Sequence, residues 1–141
     1  MSALVAAARA YLDVPFVHQG RTRAGLDCAG LALLAYRDCG VVLPDLKAYG
    51  REPFNDGLVG AITRALGDPI AVAPVRTRQL QAGDVIVVRY DINPHHVAIV
   101  SDYLHGGLAV IHCDGHTKRV IEHRLAPDMV ARITHAYRKP T

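Results

Sequence analysis

Gly25-Leu26-Asp27-Cys28-Ala29-Gly30-Leu31-Ala32 is the stretch whose reading decides how this chain is built. A polar, glycine-punctuated run (Phe16 to Gly25) ends here and an apolar helical run begins. Asp27 stands where an N-cap belongs, so a helix is predicted from Cys28 to about Cys39, with Gly40 as its stop. Leu31, Leu34 and Ala35 supply its buried face. Cys28 is then the first helical residue. Its sulfur would sit at the positive end of the helix dipole, which favours the nucleophilic thiolate.

Upstream, Ser2 caps a short predicted helix through Leu12, with Leu4, Val5, Ala8 and Leu12 on one side and Pro15 as its breaker. Downstream, a loop with Pro44 and Pro53 leads to a helix near Leu58 to Leu66, closed by Gly67. The second half changes period. Val85 to Val88, His96 to Ser101, Leu108 to Cys113, Arg119 to Arg124 and Ile133 to Tyr137 read as strands. Turns at Gln81-Ala82-Gly83-Asp84, Asp91-Ile92-Asn93-Pro94, Gly106-Gly107 and Asp114-Gly115 separate them. Helices first and strands after give an α+β fold, with an antiparallel meander, as one domain over 1–141.

Half of the 141 residues are hydrophobic and the formal charge is only +3. No basic run is interleaved with aromatics, so a nucleic-acid partner is not expected. No apolar run reaches the ~20 residues that span a bilayer, so membrane insertion is not expected. Three cysteines are an odd number for a disulfide framework. Cys28 and Cys39, on one helix, would stand about 16 Å apart, too far to bridge. Met1 to Asp13, with Arg9 inside it, reads as an amphipathic helix and not as a secretion signal, so synthesis in the cytoplasm is expected.

Strand alternation groups the histidines. His96 shares a face with Ala98 and Val100, and His112 with Leu108 and Val110. If the Cys28 helix packs on that face, a thiol, a base and an orienting partner converge. Cys28, His96 and His112 fill those roles, and the backbone N–H of Cys28 is an oxyanion donor. His95, His105, His116, His123 and His135 read as solvated or local, and Cys39 as a buried small hydrophobe. His95, His96, His112, Cys113 and His116 also suggest a zinc cluster, but alternation sends neighbours to opposite faces. No metal and no cofactor are expected.

Asp27-Cys28-Ala29-Gly30-Leu31, Gln81-Ala82-Gly83-Asp84-Val85, His96-Val97-Ala98-Ile99-Val100 and Ile111-His112, in this order, resemble the NlpC/P60 cysteine peptidases. Val14-Pro15-Phe16-Val17-His18-Gln19-Gly20-Arg21 and Val120-Ile121-Glu122-His123-Arg124-Leu125 are similar to the phage tail-assembly branch of that family. The resemblance implies a papain-like α+β fold, Cys28 as nucleophile, His96 as base and His112 as the third residue. It implies a peptidoglycan stem peptide as substrate, cut between D-glutamate and diaminopimelate or lysine. Asp27, Phe16, His18 and Arg21 are the candidate substrate-binding residues; Arg21 and Arg23 would meet substrate carboxylates or stand solvated. Ala29 replaces the serine of many members, and Phe16 and His18 stand where many carry tyrosine and tryptophan. The branch resemblance, with no secretion signal read, implies a place in a virion tail or tail-like particle acting at the cell wall, with other tail proteins as partners. A non-catalytic tail component, and an amidase or acyltransferase with the same triad, are the other readings.

Overall fold

Ser2 opens the first helix as predicted. Its hydroxyl accepts the Val5 N–H at 3.3 Å, and α1 runs over Ala3–Arg9. The computed structural model describes residues 2–44, 57–90 and 94–141; the expected loop around Pro53 and most of the expected turn at 91–94 lie outside them. α1 is shorter than its apolar pattern. The N–H groups of Ala10, Tyr11 and Leu12 turn to carbonyls three residues back, and Asp13 follows with φ of 72°. The Asp13 N–H then donates to the Val120 carbonyl at 2.9 Å, which ends any helical continuation.

The glycine-punctuated loop is more ordered than its composition suggests. It holds a two-rung hairpin, β1 (Arg21–Thr22) with β2 (Gly25–Leu26). α2 spans Cys28–Asp38 and α3 spans Leu58–Leu66, the second closed by Gly67 at φ of 87°. The strands follow: β3 (Ala71–Val72), β4 (Val85–Arg89), β5 (Pro94–Asp102), β6 (Leu108–His112), β7 (Ile121–Arg124), then the short α4 (Pro127–Val130) and β8 (Ile133–Tyr137). Their order across the sheet is β3-β8-β4-β5-β6-β7. β4 to β7 form the predicted meander. β8 departs from it by returning antiparallel to the free side of β4, with Ile86 opposite Ala136. β3, only two residues long, carries too little periodicity to be read from sequence.

The sheet has two apolar faces. α1, α2 and α3 pack on the face made by Val85, Val87, Val97, Ile99, Ile111 and Cys113. The other face, Ile86, Val88, Ala98, Val100, Val110, Ile133 and Ala136, is covered by Leu80, Leu125 and Met129. This corrects one expectation. By alternation His96 and His112 belong with Ala98 and Val110, on the face away from α2. Apolar bulk explains the choice: the odd-numbered residues of β5 and β6 match the Leu31, Leu34 and Ala35 stripe of α2.

The Gln81-Asp84 turn has a structural charge at its end. The Asp84 carboxylate, with no exposure, accepts two hydrogen bonds from Arg138, at 2.7 and 2.9 Å, and one from the Gln81 N–H. That pair fastens the start of β4 to the chain just beyond β8.

Candidate active site

Asp27 is the N-cap that its position predicts. Its Oδ1 accepts the Gly30 N–H at 2.8 Å and its Oδ2 the Gln19 N–H at 2.8 Å. Arg21 adds an ion pair to Oδ1 at 2.9 Å and a hydrogen bond to the Gly20 carbonyl at 2.9 Å. The loop is thereby drawn onto the helix start, and Gly30 makes room for it. A Cβ there would lie 2.3 Å from the Gly20 carbonyl oxygen. Only hydrogen fits, which gives the glycine of the Asp27-Cys28-Ala29-Gly30 stretch a steric reason.

The sheet accommodates the Cys28 sulfur by opening. The Val100 N–H donates to the Asp84 carbonyl, so even-numbered β5 residues address β4 and odd-numbered ones address β6. The β5–β6 register ends at Ile99↔Ile111. Val97 is the next odd residue, and its N–H meets the Cys28 sulfur instead of a strand. The sulfur therefore lies at the Val97 backbone, on the side of the sheet that α2 covers.

Cys28 as a residue is partly exposed. Burial of its sulfur nonetheless pushes the thiol up to about 12, and the Asp27 carboxylate adds to the rise; the N–H groups of Val97 and Ala29 pull the other way. The thiolate expected at a helix start gives way to a resting thiol, because desolvation and a neighbouring anion outweigh the dipole. Cys113 is wholly buried, donates to the Leu26 carbonyl at 3.4 Å, and is also pushed up by burial to about 12. Cys39 caps the end of α2, half-buried, and all three cysteines are free.

His96 and His112 meet as their spacing predicts. His96 Nε2 lies 2.8 Å from His112 Nδ1, with the rings 70° apart. Both residues are nearly buried, at 1% and 6% exposure. Burial, with His123 and Arg132 nearby, brings His112 down to about 4, so it is a neutral imidazole over most of the pH range. Tyr90 stacks on His96 with centroids 5.2 Å apart, and its hydroxyl donates to Asp114. His96, His112 and Asp114 bring ligand-type atoms within 4.8 Å of one another. The hydrogen bond between His96 Nε2 and His112 Nδ1 spends those two nitrogens on each other.

The line of rings does not stop at His112. His123 Nε2 lies 2.8 Å from His112 Nε2, and His123 Nδ1 lies 2.8 Å from the Arg124 carbonyl. Sequence reading set His123 aside as local. The signal lies in the register: His123 stands opposite Val110 in β7, and so diagonal to His112 on the same face. Tyr90, just past β4, carried no signal. Of the candidate substrate-binding residues, Asp27 and Arg21 are held by each other and by the helix start. Phe16 is half-buried against the helix-side core, near Gly115, and His18 is half-buried in the loop.

A cysteine opening a helix packed on an antiparallel sheet that carries a histidine pair fits the papain-like class of α+β folds. The NlpC/P60 family model matches residues 13–139, and the chain belongs to that family. Solved structures agree on the fold. An NlpC/P60 family protein from Bacillus cereus ATCC 10987 is 22% identical with a TM-score of 0.67, covering 99% of this chain and 40% of that one. The NlpC/p60 domain of the peptidoglycan hydrolase SagA is 24% identical with a TM-score of 0.62, covering 96% and 95%. The peptidoglycan hydrolase RipB from Mycobacterium tuberculosis is 19% identical with a TM-score of 0.62, covering 99% and 64%. The chain thus spans well under half of the Bacillus protein. No curated protein matches it in sequence. Among the described residues no helix is long and apolar enough to cross a membrane.

Proposed function

We propose that this protein is a cysteine peptidase that hydrolyses amide bonds in peptidoglycan stem peptides. The observation that carries the reading is the Cys28 sulfur on the N–H of Val97, the chain neighbour of a His96 whose ring is held by His112. The SagA and RipB domains, both named peptidoglycan hydrolases, support the substrate class. Cys28 is the nucleophile in preference to Cys113, which is wholly buried.

The resting thiol dictates the order of events. As the substrate carbonyl arrives, the Cys28 proton passes to His96 Nδ1, the ring nitrogen not engaged with His112, and the sulfur attacks the carbonyl carbon. The Cys28 backbone N–H stabilises the oxyanion. Collapse breaks the C–N bond, and His96 gives its proton to the leaving amine. Water then attacks the thioester, His96 takes its proton, and the acid and the Cys28 thiol are released.

The bond assigned is that between D-glutamate and diaminopimelate or lysine, with Phe16 and His18 in the binding surface. The Val14–Arg21 and Val120–Leu125 tracts support a place in a phage tail or tail-like particle, met by proteomics of purified particles. The deciding experiment is digestion of purified sacculi followed by mass spectrometry. A new free amine on diaminopimelate is expected with the wild type and none with Cys28→Ala. Undiminished cleavage by Cys28→Ala would overturn the mechanism, and intact sacculi with the folded wild type would overturn the substrate.

A further inference from the structure

We propose that His123 is a positioning residue that fixes the tautomers of His112 and His96, and so keeps the lone pair of His96 on the nitrogen that serves Cys28. The inference rests on the peptidase reading for its catalytic consequence, but its geometry stands apart from it.

A carbonyl oxygen can only accept. His123 Nδ1 lies 2.8 Å from the Arg124 carbonyl, so it must carry the proton. A neutral His123 then offers a lone pair at Nε2. His112 Nε2, 2.8 Å away, must donate to it. A neutral His112 is left with its lone pair at Nδ1, which accepts from His96 Nε2–H at 2.8 Å. A neutral His96 keeps its remaining lone pair at Nδ1. With one proton on each imidazole, a single backbone carbonyl orders all three rings.

The alternative arrangement shows what His123 prevents. With no acceptor at its Nε2, His112 can hold its proton on Nδ1 and donate to His96 Nε2. His96 would then carry its proton on Nδ1, where the thiol proton has to arrive. His112 alone permits both arrangements, and His123 selects one. The strand pairing holds it there: Val110↔His123 and His112↔Ile121 put the two rings on one face, diagonal to each other, with centroids 4.9 Å apart. In a serine–histidine–aspartate triad the wrong tautomer costs orders of magnitude in rate.

The test uses the wild type, His123→Gln, whose amide oxygen can accept from His112, and His123→Leu, which cannot. In protein with 15N-labelled histidine, long-range 1H–15N correlation reads which ring nitrogen is protonated. The wild type and His123→Gln are expected to show protonated Nε2 on both His96 and His112. His123→Leu is expected to show mixed or reversed tautomers. With stem peptide, kcat of His123→Leu should fall on the order of ten- to a hundredfold at unchanged KM, with most of it restored in His123→Gln. Wild-type tautomers retained in His123→Leu would overturn the inference whatever the activity. A wild type that cleaves no stem peptide would refute the peptidase reading and leave the tautomer result to decide His123.

Discussion

Acid should loosen this fold through His112, and the size of the effect follows from where that ring lies. His112 is 6% exposed, and burial holds it down to about 4 against 6.5 for a free histidine. Its folded pKa is depressed, so between those values the unfolded chain binds a proton that the folded chain refuses. Stability from this group is fully present above about pH 6.5 and is lost as pH falls toward about 4. Between about pH 7 and about pH 5 the loss comes to about 2 kcal/mol, or roughly thirtyfold in the folding equilibrium. The midpoint of urea unfolding should fall by about 1 M over that range. The control is His112→Asn, which cannot titrate yet keeps an oxygen to accept from His96. His135, also lowered by burial, and Glu122 and Asp38, held below the carboxylate range by their hydrogen bonds, act in both proteins and cancel in the comparison. The midpoint of His112→Asn should change with pH by much less than that of the wild type. Parallel curves for the two proteins would show that His112 is not held neutral, and the account of its burial would fail.

Gly30→Ala drives a methyl to within 2.3 Å of the Gly20 carbonyl, a backbone atom with no rotamer to escape by. The overlap costs about 1–3 kcal/mol and the gain in helix propensity returns about 1, so thermal unfolding should come several degrees lower; a midpoint at or above the wild type refutes the clamp. Arg138→Ala removes both guanidinium bonds from the fully buried Asp84 carboxylate, and should cost about 3 kcal/mol in urea unfolding. Replacing Asp84 by Asn in the same variant should recover part of that loss, since the stranded charge is gone; no recovery would mean that the charge was not what mattered.

The helices and central strands were legible because their apolar periods are long and their caps are explicit. Asp27 and Gly67 mark ends that the structure keeps. The His96–His112 pair was legible because His96 stands two residues before Ala98 and His112 two residues after Val110, an alternation that survives any strand order. Three things were not. The face on which α2 packs depends on the volume of side chains from both layers, and the periods of β5 and β6 allow either face. The protonation of Cys28 depends above all on the burial of its sulfur, which the sequence does not display, with the neighbouring Asp27 carboxylate adding to it. The part played by His123 depends on the β6–β7 register, set by a turn whose length alone does not fix it. Each is a matter of tertiary contact, which a linear pattern reports only indirectly.

The union of loop and helix start through Asp27, Arg21, Gly20 and Gly30 bears on how a protein of this design can diversify. One carboxylate both caps the nucleophile's helix and anchors the segment carrying Phe16 and His18, so the two cannot drift independently. New substrate preferences would have to arise by exchange at outward positions such as Val17 and Thr22, over an inner frame left untouched. A library confined to those positions should yield folded proteins at a far higher rate than one that randomises residues 19–21 and 27–30.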